Sequence, residues 1–198
     1  MGREASFLHK QDLQLQVTNS DFSPKALEVS KTREPEIPCL ELNAESMDLE
    51  DNSFDLAVVQ DGLHHRPKPV LGLNEMIRIA KKGVAVLEPH TGLVSRFGTT
   101  WETQEENGKG ATNFVFRWNK ELFESTIQSQ LAQPDNPPRF ESRRLWDHPL
   151  RIDKMARQMP KKLQVPCAQM LYGILKSGPW AKLGNSFVGT ALWSKDLR

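Results

Sequence analysis

The sequence predicts an α/β fold with parallel strands, and three observations predict it. First, Leu56-Ala57-Val58-Val59 is an apolar run entered through Asp51-Asn52-Ser53 and closed by Gln60-Asp61-Gly62. A buried parallel strand reads this way, delivering polar groups to a crevice at its carboxyl end. Second, Gly83-Val84-Ala85-Val86-Leu87 repeats the form and ends in Glu88-Pro89. Third, Val70, Leu71, Leu73, Met76, Ile77, Ile79 and Ala80 recur at helical spacing between Pro69 and Lys82. Strand, helix, strand is the central unit.

Taken in order, Gly2 to Lys10 reads as a short helix. Leu13, Leu15 and Val17 alternate with polar residues, which predicts a strand running to Asp21. Phe22 then leads into a helix with Ser23 as N-cap and Pro24 at its first position. An acid such as Asp21, at a strand's carboxyl end, is placed to accept hydrogen bonds from ribose hydroxyls; it can equally cap the turn. Cys39-Leu40-Glu41-Leu42 forms a short strand ending at Asn43-Ala44-Glu45. Asn43 offers a carbonyl acceptor there, or a simple turn.

The strand from Phe54 to Val59 delivers Gln60 and Asp61 to the crevice, and Leu63-His64-His65 follows. Adjacent histidines diverge on a helix or strand and lack a third ligand nearby, so no metal site is expected. His64 and His65 are candidate bases, or packing and capping residues; His90, after the next strand, is a third candidate base. Residues 92 to 110 read as a polar connection over the active face. Phe114 to Trp118 is aromatic, Lys120 to about Ala132 is helical, Phe140 to Trp146 is a strand and Asn185 to Trp193 is the last strand. Residues 147 to 183 hold apolar residues enough for two helices, either a cover for an apolar acceptor or a packing surface.

With 26 basic and 25 acidic residues among 198, the formal charge is +1, and no electrostatic case exists for nucleic acid or an anionic membrane. Cys39 and Cys167 have no metal-ligand spacing and read as free thiols of a reducing compartment. No apolar run approaches the ~20 residues of a membrane span, and the expectation is a cytoplasmic protein.

The set Asn43-Ala44-Glu45, Asp51-Asn52-Ser53-Phe54-Asp55, Leu63-His64-His65, Asn74-Glu75-Met76-Ile77-Arg78 and Leu87-Glu88-Pro89 resembles the middle of a class I S-adenosylmethionine-dependent methyltransferase. The subgroup it resembles acts on small molecules and includes ubiquinone- and menaquinone-type enzymes. The resemblance implies a Rossmann-like, mainly parallel sheet with an antiparallel last strand and a helical insertion before it. It implies one domain, residues 1 to 92 forming the cofactor half and 93 to 198 the acceptor half. S-adenosyl-L-methionine is the implied cofactor, held by Gly2, Asp21, Phe22, Asn43, Ala44, Glu45, Gln60 and Asp61. His64, His65 or His90 would stand near a small-molecule acceptor. Gly2 matches only the last glycine of the family's glycine-rich turn; the preceding central strand and the other glycines have no counterpart.

Two ladders of backbone groups would then lack a partner, at about 1–3 kcal/mol per buried group. The flanking strands close up, another segment or chain (a homodimer included) completes the sheet, or the chain is a truncated, inactive relative with an interaction role or none. A dehydrogenase is weakened by the lack of Gly-x-Gly-x-x-Gly.

Overall fold

The computed structural model of the chain describes residues 2–11, 15–90, 116–131, 137–146, 158–177 and 183–193. Helix α1 (Arg3–His9) starts from Gly2, whose φ of 65° is the left-handed conformation that glycine adopts without a Cβ clash. A Cβ there would also lie 2.2 Å from the Ser30 hydroxyl. Strand β1 (Asn19–Asp21), helix α2 (Pro24–Arg33) and strand β2 (Cys39–Glu41) make a βαβ unit with parallel pairing, Asn19 opposite Cys39 and Asp21 opposite Glu41. The start of α2 follows the sequence: Ser23 Oγ accepts from the Ala26 amide at 3.4 Å, with Pro24 in the first turn.

Strand β1 is shorter than the alternation of Leu13, Leu15 and Val17 predicts. Residues 15–18 carry no ladder, and residues 12–14 lie outside the described residues. The reason is pairing: β2 offers only three partner positions.

The second unit is strand β3 (Phe54–Gln60), helix α3 (Pro69–Ile79) and strand β4 (Ala80–Pro89), again parallel. The helix was expected to reach Lys82, but Ala80-Lys81-Lys82 is already strand, because Ala80 pairs with Phe54 and Lys82 Nζ meets the Asp55 carboxylate at 2.9 Å.

Helix α4 (Lys120–Leu131), capped by Asn119 Oδ1 accepting from the Leu122 amide at 2.8 Å, leads to strand β5 (Arg139–Leu145). Helix α5 (Lys161–Leu175) precedes strand β6 (Ser186–Leu192). It lies in the expected helical insertion and exposes Leu163, Val165 and Met170; residues 147–157 and 178–182 of that insertion, and the connection expected over residues 92 to 110, lie outside the described residues.

The larger sheet has the order β3-β4-β6-β5, with β6 antiparallel to both neighbours. Strands β3, β4 and β5 therefore run one way and β6 the other, the expected antiparallel last strand of a Rossmann-like fold. Helices α3 and α4 cover one face, where Leu73, Met76, Ile77, Phe123 and Ile127 pack with Val84, Val86 and Phe187. On β3, Ala57 and Val59 join that core, while Leu56 and Val58 point the other way and are 49% and 57% exposed.

Strands β1 and β2 form a sheet of their own, so β1 and β3 do not pair. Between them lies a cavity of about 450 Å³.

Candidate active site

The carboxyl ends of β1, β2 and β3 converge on this cavity. Asp21, Phe22, Ala44, Gln60, Asp61, Gly62 and Leu63 line it, with Gly2 on the α1 side. Asp21 Oδ1 accepts from the Ser23 amide at 2.9 Å, so the acid both caps its turn and faces the cavity. The Phe22 ring carries the Arg66 guanidinium 5.2 Å from its centroid, which ties the loop after β1 to the loop after β3. Asp61 has φ 50°, a left-handed conformation that aspartate tolerates, and its amide donates to the Leu87 carbonyl at 2.9 Å. That turn ends β3 at the cavity wall.

Ala44 reaches the cavity because α3 carries Gly72 beneath it; a Cβ at Gly72 would lie 3.5 Å from the Ala44 carbonyl and 2.7 Å from Leu63 Cδ2. Asn43 and Glu45 are turned to other work. Asn43 Oδ1 accepts from the Glu45 amide at 3.1 Å, and Glu45 Oε1 accepts from the Lys68 amide at 2.6 Å, beside the start of α3. The segment beyond is held by Arg78, which donates to the Met47 and Leu49 carbonyls at 2.8 and 2.7 Å and to the Asp51 and Glu75 carboxylates. Those two carboxylates raise the Arg78 pKa further, and the hydrogen bond from Arg78 lowers that of Glu75.

The histidines are separated by their partners. His64 is buried and His65 exposed, yet their rings lie 3.8 Å apart at 45°, so the expected divergence of adjacent histidines does not occur. The cause is a residue that sequence reasoning missed. Glu88, fully buried, accepts from the amides of Gly62 at 3.0 Å, Leu63 at 2.8 Å and His64 at 3.2 Å, and meets His64 Nδ1 at 2.7 Å. One carboxylate thus fixes the whole turn after β3. Its sequence signal is an acid at the end of an apolar strand, within the Leu87-Glu88-Pro89 motif.

His90 stands apart, in a second cavity of about 400 Å³ with Asn119, Lys120, Glu121, Ser142, Arg143, Arg144 and Phe187. Its Nδ1 lies 2.9 Å from the Trp118 carbonyl, which can only accept, so Nδ1 carries the proton. Burial is the main cause that lowers the His90 pKa, with the charges of Arg144 and Arg117 acting the same way against that hydrogen bond. None of the three histidines lines the first cavity.

Residues 1–87 match the family model described as "Methyltransferase domain". Residues 1–87 are thus similar to a methyltransferase domain. The chain is 38% identical over 72 residues to the demethylmenaquinone methyltransferase of Renibacterium salmoninarum, covering 36% of this chain and 30% of that protein. It is 30% identical over 125 residues to the enzyme of that name in Staphylococcus haemolyticus, covering 61% of this chain and 52% of the relative. The chain thus spans about half, or less, of the curated relatives it matches.

Among solved structures, a putative sarcosine dimethylglycine methyltransferase from Galdieria sulphuraria superimposes with a TM-score of 0.62 at 15% identity, covering 98% of this chain and 75% of that one. A SAM-dependent methyltransferase from Thermotoga maritima gives a TM-score of 0.56 at 18% identity, covering 92% and 75%. Among the described residues no helix is long and apolar enough to cross a membrane.

Proposed function

We propose that this methyltransferase domain binds S-adenosylmethionine in the first cavity and transfers its methyl group to a small-molecule acceptor. The observation that carries the reading is the convergence of Asp21, Ala44 and Gln60, from three strand ends, on one cavity. The donor set suits the group: a carboxylate for ribose hydroxyls, the Phe22 ring and Leu63 for apolar parts, and backbone at Gln60-Asp61-Gly62 for the polar end. Asn43 and Glu45 support the site indirectly, by shaping the turn that presents Ala44.

When bound, the cofactor supplies a sulfonium methyl with its leaving group built in, so the protein's share is alignment and desolvation. His64, oriented by Glu88, would serve an acceptor that must lose a proton, with its Nε2 as the accepting atom. His90 holds its proton on Nδ1, leaving Nε2 as acceptor in a neutral ring, and would serve an acceptor reaching the second cavity. The relatives named as demethylmenaquinone methyltransferases support an apolar small molecule as that acceptor. In this reading residues 1 to 92 form the cofactor half and 93 to 198 the acceptor half of one domain.

Calorimetric titration with S-adenosylhomocysteine, beside a thermal melt, tests it. Micromolar binding with a raised melting temperature is expected. A chain that melts cooperatively yet gives no binding overturns the reading.

A further inference from the structure

The two cavities differ in the sign of their charge. Glu4, Asp21 and Asp61 line the first, with Arg66 as its cation. The second, of about 400 Å³, reverses that balance: Lys120, Arg143 and Arg144 line it against one carboxylate, Glu121. Its volume lies in the range of small-molecule sites, about 300–1,000 Å³. A chain with a formal charge of +1 thus concentrates cations at one place.

The ladder register explains how they meet. Successive residues of a strand alternate faces, and residues opposite each other in an antiparallel pair share one. Arg144 lies opposite Phe187, and Phe187 opposite Glu88. Ser142, Arg144, Phe187 and His90, two residues beyond Glu88, therefore belong to the face that α4 covers. The His90 and Phe187 rings stack there, with centroids 6.4 Å apart at 30°. Helix α4 begins beside them. Asn119 satisfies the Leu122 amide, whereas the amides of Lys120 and Glu121 have no acceptor within the helix. Lys120 Nζ stands 3.8 Å from Glu124 Oε1, beyond hydrogen-bond range. The field is positive at His90 itself: burial lowers its pKa most, and the charges of Arg144 and Arg117 lower it further.

We propose that the second cavity binds an oxyanion, a carboxylate or a phosphate, carried by the methyl acceptor. This rests on the reading of the chain as a methyltransferase and narrows the acceptor to a small molecule with an anionic group beside its apolar part. Arg144 and Lys120 supply charge, and charge-assisted hydrogen bonds are the strong ones. The Ser142 hydroxyl and the Lys120 and Glu121 amides supply further donors. The stacked His90 and Phe187 rings give an aromatic wall for a ring next to the anion. The Glu121 carboxylate opposes binding, which fixes the sign of one test.

The test titrates the full chain, with no cofactor present, with benzoate, phenyl phosphate and inorganic phosphate, and with benzamide as the neutral counterpart of benzoate. NMR of the His90 imidazole follows each titration. Saturable shifts are expected with benzoate and phenyl phosphate, together with a rise in the His90 pKa, because a bound anion offsets the charges of Arg144 and Arg117. Benzamide is expected to give no saturable shift. Arg144→Gln is expected to weaken binding at least about tenfold, and Glu121→Gln to tighten it about threefold. A thermal melt checks that both variants fold. Inorganic phosphate is expected to bind at least about tenfold more weakly than phenyl phosphate, since it gains nothing from the aromatic wall. Equal affinity for the two would assign the site to a free anion and overturn the link to the acceptor. Benzamide binding as well as benzoate, unchanged affinity in folded Arg144→Gln, or no saturable binding by a cooperatively melting chain each overturns the proposal. Since no cofactor enters this measurement, its failure is distinct from a failure of S-adenosylhomocysteine to bind.

Discussion

Oε2 of Glu88 lies 2.7 Å from Nδ1 of His64, where neither side chain is more than 4% exposed. The same carboxylate receives the amides of Gly62, Leu63 and His64, so the turn after β3 is organised around one buried acid at the end of β4. Breaking such a pair by removing one partner leaves buried donors without an acceptor.

Glu88→Ala is therefore expected to destabilise the fold by about 3–5 kcal/mol. Glu88→Gln, which keeps one acceptor oxygen, is expected to cost less. Urea unfolding followed by circular dichroism measures both. Equal stability of the wild-type chain and Glu88→Ala would show that the turn is held by other contacts.

Asp21 offers the opposite profile, a polar residue at the cavity whose side chain accepts from the Ser23 amide at 2.9 Å. Asp21→Ala is expected to shift stability by no more than about 1 kcal/mol, the scale of a lost turn bond. Its affinity for S-adenosylhomocysteine is expected to fall about tenfold or more, since a hydrogen bond to a charged group is worth about 1.5–3 kcal/mol. Calorimetry on the folded variant decides; unchanged affinity would remove Asp21 from the site.

The parts of this fold legible in the sequence are those set by local pattern. The apolar run of β3 and its polar exit, the Ser23-Pro24 start of α2 and the helical spacing of α3 were all readable, because each depends on neighbours within a turn or two. What was not readable depends on distant partners. The end of α3 at Ile79 is set by Phe54, which takes Ala80 into the ladder. The three-residue length of β1 is set by β2. Glu88 acts on residues 24 to 26 positions earlier, so its role as their acceptor is not readable from the Leu87-Glu88-Pro89 motif itself. Of the histidines, the sequence named the positions and the structure supplied their separation, His64 on Glu88 and His90 on Trp118.

Arg78 presents a further distinction that composition hides. Its fork holds the Met47 and Leu49 carbonyls together with two carboxylates, a planar arrangement that a lysine ammonium cannot reproduce. Arg78→Lys is expected to cost about 2 kcal/mol and to speed hydrogen exchange between Ala44 and Asn52. Mass-spectrometric exchange on the folded variant reads this directly. Unaltered exchange in that segment would mean that the Arg78 contacts do not order it.

Acid stability gives the last prediction. Glu34 receives hydrogen bonds from the Lys10 ammonium and the Ser6 hydroxyl, linking α1 to α2, and these bonds hold its pKa at about 2 against an ordinary 4.5. A carboxylate with a depressed folded-state pKa binds its proton more weakly in the folded chain than in the unfolded one. Its contribution to stability is thus complete above pH 4.5 and is lost as pH falls from there through about 2. Removing the largest cause, by Lys10→Met, is expected to flatten the fall in urea midpoint over that interval, with little change in its slope above pH 5. Glu34→Gln is expected to flatten it further, since no titrating group remains. Parallel acid profiles for wild type and both variants would show that the Lys10–Glu34 link does not govern how α1 stays docked on α2.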